Sequence, residues 1–314
     1  MADIAVVGSL NMDLVAVVPR LPARGETLIG SRHFTAHGGK GANQAYAAAR
    51  LGGAVAMIGR VGEDGFGESM RANLAGAGCA VEAVRTVPGA SGVALIFVSE
   101  QGDNSIVVAP GANHGFGPED LARDGAALAD ARTLLLQLES PMETVVAAAQ
   151  AGRAAGATVV LDPAPAVPEL PAALLEAVDW ITPNETEACA LAGRPAADLG
   201  PEEALEIARE LQAKGAKGVI VKLGGRGCLL VGAEGAVHVA APSVAVVDTT
   251  AAGDTFNAAL AVALAEGRPM VEACAFAVRV AALSVTRFGA QPSMPDRETV
   301  ESFCAANPVV TRAL

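Results

Sequence analysis

Val247-Asp248-Thr249-Thr250-Ala251-Ala252-Gly253-Asp254-Thr255-Phe256-Asn257-Ala258-Ala259-Leu260 is the stretch whose reading decides the fold. The β-branched run Val244 to Val247 reads as a strand, and from Thr255 onward apolar residues recur at helical spacing. The small residues between them form a strand-to-helix turn. Gly253, Ala251 and Ala252 leave backbone N–H groups unobstructed at a helix N-terminus. Unpaired donors and the positive end of the helix dipole favour a phosphate there. Asp254 stands beside these donors, where a carboxylate can take the proton of a hydroxyl attacking the held phosphoryl group. Asp and Thr are also common helix caps, so this turn alone allows a cap or a catalytic site.

Upstream, from about residue 118, helix and strand alternate. The pattern predicts strand Thr133 to Leu138, helix Met142 to Ala155, strand Thr158 to Leu161 and a breaker at Asp162-Pro163-Ala164-Pro165. Strand Trp180 to Ile181, a helix to Leu191, helix Pro201 to Lys214 and strand Gly218 to Leu223 follow. This is the pattern of one α/β domain, residues 1–314, with a largely parallel central sheet flanked by helices. Ligands of such sheets sit beyond the strand C-termini. Glu139, the turn Asn184 to Glu187, Lys222 to Gly227 and Asp248 to Asp254 all follow predicted strands and are expected on that edge. Their convergence favours a site over a set of unrelated caps. Helices Asp254 to Ala265, Met270 to about Thr286 and Asp296 to Ala305 close the chain. The loop Arg287 to Ser293 is either a plain helix connection or a set of carbonyls able to ligate a cation.

At the other end, strand Ile4 to Gly8 leads to Asn11 and Asp13, two apart and so on one face of an extended segment. A carboxylate and a carboxamide on one face can clamp adjacent hydroxyls, although the same pair also suits a turn. Gly38-Gly39-Lys40-Gly41-Ala42-Asn43-Gln44 opens an Ala-rich helix to Leu51. It is not a Walker A loop, which needs Ser or Thr where Gly41 stands, nor a dinucleotide fingerprint, which needs Gly where Gln44 stands. Strand Val55 to Ile58, a turn over Gly59 to Gly67 and a helix to about Leu74 come next. Gly92 to Val98 and Ser105 to Ala109 read as a hairpin. With Met12 to Val18 and Thr27 to Thr35 it is expected to make a small β lid from about residues 10–40 and 91–110. One face would cover the cleft and the other would meet a second copy, giving a homodimer.

Composition excludes several classes of function. Of the 314 residues 52% are hydrophobic, yet charges or turns interrupt every apolar run before a membrane span is complete. The N-terminus reads as a strand and lacks a basic region with a cleavage site, so a cytoplasmic protein is expected. Five cysteines without a C-x-x-C and four unpaired histidines argue against a disulfide frame or a transition-metal centre. A formal charge of −12 opposes binding to nucleic acid or an anionic membrane.

Gly8-Ser9-Leu10-Asn11-Met12-Asp13, Gly38 to Asn43, Val61-Gly62-Glu63-Asp64, Gln137 to Pro141, Thr182 to Glu187 and Asp248 to Asn257 together resemble the ribokinase-like carbohydrate kinases. The resemblance covers nearly the whole chain. It implies transfer of the γ-phosphoryl group of ATP to the 5-hydroxyl of D-ribose, with Mg²⁺ on the nucleotide and K⁺ as activator. Asp254 would be the general base, with Ala251, Ala252 and Gly253 as the anion hole. Asn11, Asp13, Gly39, Lys40, Asn43 and Glu139 would bind the sugar. Asn184, Glu187, Lys222, Gly224, Gly225 and Gly227 would serve the nucleotide and its Mg²⁺. Asp248, Thr250, Ser284, Arg287, Gly289 and Ser293 would hold K⁺, largely through carbonyls. An ordinary Asp is ionised at neutral pH, so Asp254 is expected to need no large pKa shift. Lys222 departs from the family pattern, which commonly has a small hydroxyl residue there, as does Val278, where a polar residue is common.

Overall fold

A computed structural model describes residues 2–314. In chain order the strands are β1 (Ile4–Val7), β2 (Asn11–Val18), β3 (Arg32–Gly38), β4 (Val55–Gly62), β5 (Val84–Val87), β6 (Gly92–Ser99), β7 (Asn104–Ala109), β8 (Thr133–Leu136), β9 (Thr158–Leu161), β10 (Trp180–Ile181), β11 (Gly218–Lys222), β12 (Cys228–Gly232), β13 (Gly235–Val239) and β14 (Thr311–Ala313). The helices are α1 (Lys40–Arg50), α2 (Gly65–Gly76), α3 (Pro118–Asp124), α4 (Met142–Ala154), α5 (Ala172–Ala177), α6 (Glu185–Ala192), α7 (Pro201–Ala213), α8 (Ala252–Ala265), α9 (Met270–Ser284) and α10 (Arg297–Ala306).

Ten strands form the central sheet in the order β14-β13-β12-β11-β10-β9-β8-β1-β4-β5. The run from β11 to β5 is parallel, and β12, β13 and β14 add an antiparallel edge. Its central strands read as continuous apolar runs because both faces are covered. On β1, Ile4 and Val6 pack into one core with residues of α1, α8 and α9, while Ala5 and Val7 pack into the other with α4 and α7. A second, four-stranded sheet runs β3-β2-β6-β7. β2 pairs with β6 in parallel and with β3 antiparallel, so the hairpin β6–β7 lies beside the segment that carries Asn11 and Asp13.

The structure departs from the sequence reading in several places, each with a physical cause. Val244 to Val247 form no strand: residues 240–248 are irregular, and Val246 and Val247 are exposed. Their β propensity finds no sheet partner, because β13 is already flanked by β12 and β14. Gly59 to Gly62 are the end of β4, not a turn. Glycine is needed at Gly62 because a Cβ there would stand 2.3 Å from Ser91 N, so it marks a close backbone approach within the strand. The third strand expected for the lid lies at Arg32–Gly38 in the second sheet and not at Thr27 to Thr35. Short β5 and β14, both at sheet edges, and the brief α5 had no signal of their own.

Candidate active site

Asp254 occupies the third position of α8, and its carboxylate accepts hydrogen bonds from across the fold. Asn43 Nδ2 donates to Oδ2 at 3.0 Å and Gln44 Nε2 to Oδ1 at 3.1 Å. Both amides come from α1, so two helices from opposite ends of the chain meet at one buried carboxylate. Each amide is itself held. Gln137 Nε2 donates to Gln44 Oε1 at 2.6 Å, which turns Gln44 Nε2 toward Asp254 and also toward Asp162 Oδ2, 3.1 Å away. Gln291 Nε2 donates to Asn43 Oδ1 at 3.1 Å, and Asn73 Nδ2 to Gln291 Oε1 at 2.6 Å.

The turn ahead of α8 is closed by the backbone. Ala251 is the helix N-cap with φ 57° and ψ 18°, and no side chain caps it. Ala252 N donates to Thr249 O at 3.2 Å, while Thr255 N and Oγ1 both return to Ala251 O at 2.9 Å. The N–H groups of a helix's first turn have no acceptor within the helix. Here the first turn borders a cavity of about 620 Å³, lined by Ala251, Ala252, Gly253, Asp254, Lys40, Asp162, Asn184, Glu187, Lys222, Gly224, Gly225 and Gly227. Val278 lines it as well. Asn184 and Glu187 lock each other in a capping box: Asn184 Oδ1 accepts from Glu187 N, and Glu187 Oε2 from Asn184 N, both at 2.8 Å.

The residues assigned to a sugar lie next to this cavity, and of them Lys40 and Asp254 line it. Glu139 Oε2 accepts from Ser9 Oγ at 2.5 Å and from Lys40 N at 3.1 Å, which ties the end of β8 to the start of α1. Gly39, with φ 87°, sits so close to β2 that a Cβ would meet Asn11 N at 2.6 Å. Asn11 Oδ1 accepts from Asn113 Nδ2 at 2.8 Å. Asp13 shares a face of β2 with Asn11, and its carboxylate lies against Gly38, the partner of Asn11 on β3. Asn113, Gln44, Gln137, Asp162 and Gln291 escaped the sequence reading. The one hint was that Gln44 follows Asn43 directly and Asp162 directly follows a strand.

Crowding of charge tunes these groups. Burial, with Glu139 and Asp254 nearby, pushes the Asp13 carboxyl up to about 7. Burial also pushes Asp254 up to about 6, although Lys40 opposes it, so the expectation of an unshifted Asp254 is corrected. Burial raises Glu187 as well, against the pull of Lys222. Burial alone would lower the Lys40 ammonium, but Asp254, Asp162, Glu139 and Glu187 outweigh it and hold Lys40 protonated.

The loops flanking the turn are stitched by Asp248. Its Oδ1 accepts from Thr250 N at 2.9 Å and Thr250 Oγ1 at 2.6 Å, and its Oδ2 from Gly289 N at 2.8 Å. Burial would raise this carboxyl, and these bonds together pull it below the usual range. Val285 O accepts from Val247 N at 2.8 Å, so the 287–293 loop and the turn are neighbours. Arg287 N donates to Ser284 O at 3.2 Å. The hydroxyls of Ser284 and Ser293 turn back to Ala281 O and Ala290 O instead of toward Asp248. Among the described residues no cluster of three His, Cys, Asp or Glu side chains could hold a metal.

A buried carboxylate beside a helix N-terminus, on the wall of a cavity that two lysines also line, suits enzymes that move a phosphoryl group onto an alcohol. Residues 1–297 match the pfkB family carbohydrate kinases, and the chain belongs to that family of sugar kinases. Ribokinase of Haemophilus influenzae is 42% identical over 301 residues, covering 96% of this chain and 97% of that one. Deoxyribokinase of Salmonella typhi is 39% identical over 306 residues, covering 97% and 99%. A solved structure of Arabidopsis thaliana ribokinase complexed with ribose and ATP is 37% identical and superposes with a TM-score of 0.89, covering 96% of this chain and 98% of that one.

Proposed function

We propose that the protein phosphorylates D-ribose at its 5-hydroxyl with ATP, giving D-ribose 5-phosphate and ADP. The observation that carries this reading is Asp254, a buried carboxylate aimed by two amides and placed at the N-terminus of α8. The sugar oxygen attacks the γ-phosphorus, the bond to the bridging oxygen breaks, and that oxygen leaves on ADP with the electron pair. The hydroxyl proton passes to Asp254, whose pKa of about 6 suits a base working near neutrality. Backbone N–H groups of the Ala251–Gly253 turn face the phosphoryl oxygens, with Ala252 N turning from Thr249 O, its acceptor in the structure. Asn11, Asp13, Gly39, Lys40, Asn43 and Glu139 hold the sugar, and Asn184, Glu187, Lys222, Gly224, Gly225 and Gly227 serve the nucleotide.

The donors present fit the expected ions. Mg²⁺ takes one or two carboxylates and otherwise phosphates and water, which Glu187 on the cavity wall allows without a metal cluster of protein ligands. K⁺ suits the oxygen-rich walls around Asp248, with Thr250, Ser284, Arg287, Gly289 and Ser293 offering mostly carbonyls. When bound, the two cations offset negative charge on the phosphates and at the anion hole. The whole chain acts as one domain, with the second sheet as its lid and as the contact between two copies. Among the described residues no helix is long and apolar enough to cross a membrane, in keeping with a cytoplasmic enzyme.

A purified sample given ATP, Mg²⁺, K⁺ and a sugar panel should form ADP with D-ribose, and silence with ribose would end the reading. The 39% identical deoxyribokinase supports a second one, in which 2-deoxyribose is the better acceptor. Comparing kcat/KM for the two sugars decides, because a site that hydrogen-bonds the 2-hydroxyl rejects the sugar lacking it.

A further inference from the structure

The cavity wall beside the α8 N-terminus carries a charge pair whose lysine the reaction just described places only generally at the nucleotide. Lys222 Nζ donates to Asp162 Oδ1 at 2.8 Å, with side chains 12% and 2% exposed. The ammonium reaches the turn: a methyl group placed on Gly253 would stand 3.3 Å from Nζ. An ammonium has three N–H donors. Asp162 Oδ1 is its one hydrogen-bond acceptor among the described residues, which leaves two N–H groups beside the backbone donors of Ala251 to Gly253. A buried pair like this gains little stability over two neutral residues, since the cost of removing both charges from water offsets their attraction. An anion entering the cavity changes that balance, because Lys222 can serve it without leaving Asp162.

Asp162 has a second connection. Its Oδ2 accepts from Gln44 Nε2 at 3.1 Å, and the same Nε2 donates to Asp254 Oδ1 at 3.1 Å. One amide therefore spans the carboxylate that anchors the cation and the carboxylate that takes the proton. The chain Lys222–Asp162–Gln44–Asp254 fixes the ammonium and the Asp254 carboxylate relative to each other beside the N-terminus of α8.

We propose that Lys222 is a catalytic residue of this protein, closing the anion hole from the cavity side and neutralising charge on the transferring phosphoryl oxygens, with Asp162 as the residue that positions it. This rests on the sugar-kinase reading and adds to it a side-chain cation where the resemblance offers only backbone donors. Groups that bind the phosphoryl group more tightly in transit than in the ground state raise kcat more than they lower the nucleotide KM. Removal of one such donor costs ~10² to 10³ in kcat.

The test compares wild type with Lys222→Met and with the double variant Asp162→Asn/Lys222→Met. In the double variant the buried charge pair is gone, and the carboxamide oxygen introduced in place of the Asp162 carboxylate can still accept from Gln44. Steady-state kinetics with ATP and D-ribose are measured alongside binding of ADP alone and of ADP with aluminium fluoride, a mimic of the transferring group. Both variants should lose ~10² to 10³ in kcat and a comparable factor in affinity for ADP with aluminium fluoride, with affinity for ADP alone within a few-fold of wild type. The double variant keeps the comparison valid if the single one folds poorly. If wild type is active and the folded variants keep kcat and aluminium fluoride binding within a few-fold, Lys222 is only part of the wall and the proposal fails. An equal loss of affinity for ADP and for its aluminium fluoride complex assigns Lys222 to ground-state nucleotide binding and also overturns it. If wild type phosphorylates no sugar of the panel, the kinase reading falls first and this proposal with it.

Discussion

The two sheets that border the active site are built on opposite principles. β1, β8 and β9 are buried on both faces, and the groups at their C-terminal ends are held by cross-chain hydrogen bonds such as Gln44 to Asp254 and Asp162. β7 of the second sheet is exposed along its whole length, with Ile106, Val107 and Val108 open to solvent. A close-packed interior resists small displacements, so reacting groups that must be placed to a fraction of an ångström belong on the first kind of support. Recognition and assembly tolerate the second. The difference predicts that changes at the central edge act on turnover, and changes on the face of the second sheet turned away from Asp13 act on assembly.

The largest effect is expected from Asp254→Asn, which keeps the shape and removes the proposed base. Turnover should fall by ~10² to 10⁴ while sugar binding, measured by calorimetry, is largely kept. Loss of binding in parallel with turnover would mean that the carboxylate serves the fold and not the reaction.

An intermediate effect concerns pH. Asp254 must be ionised to act, so with its pKa near 6 the kcat/KM profile should fall on the acid side through about pH 6, joined by Asp13 near 7. The linkage to stability runs the other way. Both carboxyls are raised above the usual 3.8, so the stability they lend is present at acid pH and is lost as pH rises through about 6 to 7. The Tm of Asp254→Asn should accordingly exceed that of wild type at pH 8 and approach it near pH 5. A profile flat down to pH 5 would remove Asp254 from the proton's path.

The smallest effect on chemistry is expected from the lid. Leu95, Phe97 and Val107 lie on the face opposite Asp13, since Leu95 pairs with Val107 and alternates with Ala94, the neighbour of Asp13. Val107→Lys should turn a dimer into a monomer at micromolar concentration, read by light scattering, with kcat changed little. A wild-type monomer would show that this apolar face serves something other than a second copy.

Much of the fold was legible because the sheet's own rules are local. Apolar runs such as Thr158 to Leu161 and helical repeats such as Pro201 to Lys214 announce themselves over a few residues. Val244 to Val247 misled for the same reason: β propensity is local, but a strand also needs a neighbour, and no neighbour can be read from one segment. Gly59 to Gly62 misled in the opposite sense, since glycines that admit a neighbouring backbone look like turn residues until that backbone is seen. At the site, residues beside glycine-rich turns were legible. Gln44, Gln137 and Asp162 were not, because their roles lie in contacts with residues 93 to 118 positions away.

Ala251 adds a last consequence. It is the one non-glycine residue with positive φ among those described, and it stands at the N-cap of α8, where the proposed anion hole begins. An alanine in the left-handed region is held there at a cost of about 1 kcal/mol that glycine would not incur. Glycine would also visit many other conformations when the site is empty. The methyl group thus narrows the range of shapes open to the turn between catalytic cycles. The hole can wait for its anion already formed, at the expense of a slightly strained resting state.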